Sequence, residues 1–108
     1  MKTLLSTLVA VTCMGAGTMA QAQQLADVAA GKKRAAVCFS CHGEDGVSRN
    51  PAYPNLQNQQ RVYLEKQLKD FRDGRRVDPA MTAMAKPLTD DDIRNISAYY
   101  WGVNLVRR

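Results

Sequence analysis

Apolar residues recur at helical spacing in three stretches of the chain. Leu64, Leu68 and Phe71 fall at i, i+4 and i+7, one stripe of a helix predicted from about Gln60 to Asp73. Glu65 and Lys69 form an i, i+4 pair on it, and Gly74 is a natural stop. Ile93, Ile96 and Tyr100 line one face of a helix from about Asp90 to Gly102, with Tyr99 and Trp101 widening that face. Thr89 is its N-cap, and Asp90, Asp91 and Asp92 put negative charge where the helix dipole favours it. A third helix runs from about Val28 to Cys38 behind an Asp27 N-cap. Gly31 lies inside it at a cost of roughly 1 kcal/mol relative to alanine, which implies a packing reason. Loops rich in Gly, Pro and Asn fill 43–58 and 75–88, and no alternating strand pattern appears. The expectation is one all-α domain of three main helices. Loops this long in so small a domain imply a large buried group that organises them.

The first residues follow a different pattern. Lys2, an apolar run from Leu4 to Val11, and the small-x-small triplet Ala20-Gln21-Ala22 predict a cleaved signal peptide over 1–22. The run is too short to span a bilayer, and no stop-transfer segment follows, so no membrane insertion is expected after cleavage. Cys13 follows Ala10-Val11-Thr12, a poor lipoprotein signal. The expected destination is the periplasm, and the expected folded unit is 23–108. Those 86 of the 108 residues are close to the size at which one apolar core becomes marginal and a staple is usual. The whole chain carries a formal charge of +5. That balance suits docking to acidic partners and equally suits simple solubility. Basic and aromatic residues are not interleaved, which leaves nucleic-acid binding without support.

The chemistry centres on Cys38-Phe39-Ser40-Cys41-His42. Cys-x-x-Cys-His is an attachment signal for haem c. Two thiols three residues apart at a helix end reach the two vinyl groups on one porphyrin edge. The next residue then lies beneath the iron, where its imidazole is the proximal ligand. The covalent links would be the missing staple, because a disulfide across so short a loop stabilises little. A thioredoxin-like redox pair requires a βαβ context, which is absent. A structural zinc requires four ligands, and only Cys38, Cys41 and His42 lie beyond the leader. With a single histidine, bis-histidine ligation within one chain is excluded. Met81 and Met84 are the candidate thioether ligands, and lysine or an open site are the alternatives. Lying three apart, at most one of the two methionines ligates, and methionine is otherwise a core filler.

The sequence resembles the class I cytochromes c, most closely the small bacterial monohaem domains that also occur doubled in two-domain dihaem cytochromes. Gly31-Lys32, Cys38-x-x-Cys41-His42-Gly43-x-Asp45-Gly46, Pro51-x-Tyr53-Pro54-x-Leu56, Tyr63-Leu64-x-x-Gln67-Leu68, Met81-x-x-Met84-Ala85, Leu88-Thr89-Asp90-x-Asp92-Ile93 and Ile96-Ser97-Ala98-Tyr99-Tyr100 carry the resemblance. It implies a class I cytochrome c fold, with three main helices and loops wrapped around one covalently bound haem c. It implies that Met81 is the axial ligand and Met84 a packing methionine. It implies that Gly31 and Tyr99 meet where the first and last helices cross. It also implies that the Pro51 carbonyl accepts the Nδ1–H of His42, with Pro54 as the substitute. Asn58-Gln59 departs from the family's usual Gly-Gln, and asparagine tolerates the left-handed turn that glycine would make there.

The function this implies is one-electron transfer between redox partner proteins in the periplasm, not catalysis. A haem subunit of a periplasmic oxidoreductase complex is the alternative. A haem enzyme or gas sensor would require an open sixth position and a distal acid–base group, and there is no second histidine to provide one. Lys32, Lys33 and Arg34 would steer acidic partners, or simply form a solvated helix face.

Overall fold

The structure, a computed structural model, describes Ala10 and residues 25–103. Ala10 aside, the leader expected over 1–22 lies outside the described residues. The elements are α1 (Val28–Arg34), a 3₁₀ turn (Ala35–Cys38), α2 (Phe39–His42), α3 (Arg61–Arg72), α4 (Met81–Ala85) and α5 (Asp90–Gly102). No strand occurs among the described residues, and none of their helices is long and apolar enough to cross a membrane. α5 is the hub, packing against α1 and α3, while α4 packs against α3.

The caps of α5 match the sequence reading. Thr89 Oγ1 accepts the Asp92 N–H at 3.0 Å, and Asp92 Oδ2 accepts the Thr89 N–H at 3.0 Å, a reciprocal capping box. Asp27 caps α1 by accepting the Ala30 N–H at 2.9 Å. Its own N–H donates to Asn95 Oδ1 at 2.9 Å, which ties the start of α1 to α5. α3 has the predicted extent, with Gly74 at φ +82° beyond it. The core is the predicted face: Leu64 and Phe71 of α3 are buried against Ile93, Ile96 and Tyr100 of α5.

Three expectations are corrected. The first helical run does not stop at Cys38 but continues through a tightened 3₁₀ turn to His42, because nothing breaks it before Gly43 at φ +81°. Glu65 pairs with Arg61 at 2.9 Å, one turn earlier, and not with Lys69. Trp101 is 46% exposed and does not widen the buried face. It lies eight positions from Ile93, about 80° around the helix from that stripe. Gly31 lies at the crossing of α1 and α5, where an ideal Cβ would lie 2.0 Å from the Asn95 carbonyl oxygen.

A network of charges closes the far end of α3. The Asp70 carboxylate, its side chain only 10% exposed, lies between Lys66 and Arg75, with Arg75 Nε at 2.7 Å. Hydrogen bonds from Lys66 and Arg75 hold its carboxyl below the usual value of 3.8. A depressed folded pKa contributes stability above the unfolded value and loses it as pH falls through the folded value. Asp70→Asn is therefore expected to melt lower than the parent at pH 7. The gap should close as pH falls below about 4, and thermal melts across that range read it directly. A gap that persists at pH 2 would place the effect in packing and not in charge.

Candidate functional site

The site is built from the end of the first helical run, the loop that follows it, and α4. Cys38 and Cys41 are both half-buried free thiols. Burial pushes the Cys38 thiol up, Arg34 opposes that shift, and Cys41 adds to it. His42 is buried at the end of α2. Its Nδ1 lies 2.8 Å from the Pro54 carbonyl oxygen. A carbonyl only accepts, so Nδ1 carries the proton and Nε2 holds the lone pair free for a metal. The acceptor is thus Pro54, and the Pro51 assignment is corrected. Pro51 lies three residues earlier, in an exposed bend that the Tyr53 N–H closes by donating to the Asn50 carbonyl at 3.0 Å.

The chain itself orders the loop that presents Pro54. The Gly46 carbonyl accepts the N–H groups of Leu56 at 2.8 Å and Gln57 at 2.9 Å. Asn55 Oδ1 accepts the Ser48 N–H at 2.7 Å across the same loop. Gly46 has φ +75°, and a Cβ there would lie 2.7 Å from the Gln57 nitrogen, so both conformation and space require glycine. Asn58 adopts φ +67°, the left-handed turn expected of it. Two hydroxyls of α5 fasten the residues after His42. Tyr99 donates to the Glu44 carbonyl at 2.5 Å and Tyr100 to the Gly43 carbonyl at 3.3 Å. Burial raises the Tyr100 hydroxyl further above its ordinary value, so it stays protonated and able to donate.

Met81 packs against the core cluster alongside Cys38, Leu56 and Leu68, all of them partly open on the other side. Met84, assigned above as a packing methionine, is 41% exposed. It lies almost one full turn beyond Met81 on the five-residue α4, so the two side chains leave that helix about 60° apart. The sequence reading missed α4, although Asp78-Pro79 carried a signal for it: a capping residue followed by a proline preset for a first helical turn. Of the basic residues considered for steering, Lys32 pairs with Glu44 at 3.0 Å and Arg34 with Asp92 at 3.4 Å.

The donor set can be tested against the candidate groups. Two free thiols, an imidazole with its tautomer fixed, and a thioether at the margin of the apolar core suit a covalently held haem. Among the described residues no group of three His, Cys, Asp or Glu side chains is placed to hold a metal ion on its own.

Comparison with known proteins agrees. The family profile described as Cytochrome c matches residues 28–103. Cytochrome c-554(548) of Halomonas halodenitrificans is 47% identical over 77 residues, covering 68% of this chain and 93% of that protein. Cytochrome c4 of Pseudomonas aeruginosa is 43% identical over 84 residues, covering 78% of this chain and 42% of that protein. The structure of reduced recombinant cytochrome c4 from Pseudomonas stutzeri matches with a TM-score of 0.66 at 40% identity, over 70% of this chain and 45% of that one. The chain therefore spans less than half of those two cytochromes c4.

Proposed function

The chain belongs to the cytochrome c family, and from that premise we propose that it carries one electron at a time between redox partners through a single haem ligated by His42 and Met81. The fold is that of the class I cytochromes, and the cofactor is haem c attached through Cys38 and Cys41. Bound haem supplies a one-electron iron couple whose potential depends on axial ligands and burial. The residues of the chain do the rest. The Pro54 carbonyl fixes the His42 tautomer and strengthens Nε2 as a donor. The Met81 thioether is soft, favours ferrous iron and raises the potential. With His42 and Met81 both holding the iron, the chain would leave no position for substrate, and electron transfer would be the chemistry that the bound group supplies. The protein acts in the periplasm after removal of residues 1–22. It docks there with partners whose surface is acidic, and Lys33 is the steering candidate on α1, since Lys32 and Arg34 are engaged in ion pairs.

The observation that supports this reading is the bond between His42 Nδ1 and the Pro54 carbonyl, which leaves the Nε2 lone pair free to ligate. Spectra of the protein matured in a host that attaches haem c test it. A far-red sulfur-to-iron band in the ferric form and no response of the ferrous form to carbon monoxide are expected. Ready carbon monoxide binding without the band would mean an open iron, and would move the function to a haem enzyme or sensor.

A further inference from the structure

The segment that carries Met81 is fastened by bonds that do not involve its side chain. Where it leaves α3, the Arg76 N–H donates to the Asp70 carbonyl at 3.0 Å, and the Arg76 guanidinium lies 4.5 Å over the Phe71 ring. Where it rejoins α5, Arg72 Nη1 donates to the Leu88 carbonyl at 3.2 Å and to Asp90 at 2.8 Å. Between these anchors four hydrogen bonds converge on Asp78 and Thr82. Asp78 Oδ1 accepts the Ala80 N–H at 2.9 Å and the Met81 N–H at 2.8 Å. The Asp78 N–H donates to Thr82 Oγ1 at 2.9 Å, and the Asp78 carbonyl accepts the Thr82 N–H at 3.0 Å.

We propose that Asp78 and Thr82 are positioning residues for the axial ligand: their reciprocal lock holds the Met81 backbone, so that the thioether stays presented whenever its bond to iron opens. This rests on the assignment of Met81 made above. α4 has five residues and cannot hold its own conformation, because isolated helices of fewer than about 12 residues are marginal in water. Its orientation must therefore come from its packing against α3 and from the anchors. In a reciprocal cap the third residue usually supplies the returning side chain. Here that residue is Met81, and Thr82 takes the returning role instead, leaving the methionine side chain uncommitted to the cap. A tethered ligand competes with added ligands in proportion to how tightly its reach is confined. Loosening the lock therefore favours the competitor.

The test is an imidazole titration of the ferric holoprotein, with the far-red band recorded alongside. Asp78→Ala and Thr82→Val are expected to bind imidazole about five- to tenfold more tightly than the parent, the effect of losing one or two such hydrogen bonds. Asp78→Asn, which keeps an accepting oxygen, and Thr82→Ser, which keeps the hydroxyl, should stay within about twofold. If Asp78→Ala does not mature as a folded holoprotein, Thr82→Val decides alone. Affinity within twofold of the parent in Thr82→Val, or a Thr82→Ser variant as weakened as Thr82→Val, would overturn the lock even if both variants melt lower. Met81→Ala separates the two levels: a far-red band that survives in that variant defeats the assignment of Met81 itself, whereas its loss there leaves only the lock at stake.

Discussion

Gly31→Ala is expected to lower the melting temperature of the ferric holoprotein by about 10 °C, although alanine is the better helix former. At an exposed position inside α1 the change would gain about 1 kcal/mol. Here an ideal Cβ would lie 2.0 Å from the Asn95 carbonyl oxygen and 2.5 Å from its carbon. Both are backbone atoms of α5 and cannot swing aside, so the two helices must separate. Overpacking of this kind costs roughly 1–3 kcal/mol, and more where backbone must move. The separation also strains the Asp27 N–H bond to Asn95 Oδ1. A net loss of about 2 kcal/mol corresponds to roughly 8–16 °C in a domain of this size. Gly102→Ala is the control. Gly102 is also helical, and a Cβ there meets nothing within 4 Å. That variant should melt at or slightly above the parent. If Gly31→Ala also melts at or above the parent, helix propensity and not the helix crossing decides at position 31.

Gly31 shows which parts of the fold can be read from sequence. A glycine where propensity argues against it announces a close approach, but not which residue approaches. The backbone of Asn95 and Ile96 is what comes nearest to it, and no local pattern in the sequence names those residues. Features fixed by neighbours along the chain were legible. Thr89 and Asp92 are three residues apart and cap each other, and Asn58 turns left-handed where glycine would stand. Features decided by tertiary choice were not. Pro51 and Pro54 have the same chemistry, and only the path of the loop decides which carbonyl meets His42. Glu65 has a cation one turn away on either side, and the side-chain direction selects Arg61. α4 is too short for periodicity to reveal, and its signal lay in Asp78-Pro79, just ahead of it.

The candidate site divides along the same line. Cys38, Cys41 and His42 are contiguous, so their spacing alone announced the chemistry. The groups that make His42 a good ligand come from elsewhere in sequence. Pro54 is twelve residues on, while the tyrosines that fasten Gly43 and Glu44 are more than fifty residues away. Such partners carry no periodic signal, because each is a single contact. The long loop was expected to depend on a buried prosthetic group. Its own hydrogen bonds through Gly46 and Asn55 brace it alongside any contact with that group.

Replacing each methionine in turn should separate two residues that sequence spacing could not. Met81→Ala is expected to abolish the far-red band of the ferric protein and to turn a ferrous form indifferent to carbon monoxide into one that binds it. The reduction potential should fall by on the order of 0.1 V, a modest part of the roughly 0.8 V range that axial ligands command. The direction follows from the thioether, which favours ferrous iron, so its loss favours ferric. Met84→Ala is expected to keep the band, the potential and the indifference to carbon monoxide. Met81 packs against the core cluster, whereas Met84 is 41% exposed and leaves the five-residue α4 about 60° away. The stability costs should differ too, since truncating a core-facing methionine removes contacts that an exposed one never made. If Met84→Ala opens the iron and Met81→Ala does not, the ligand is Met84. The lock at Asp78 and Thr82 would then hold the wrong residue. Equal and partial loss of the band in both variants would instead mean that the two thioethers exchange at one iron.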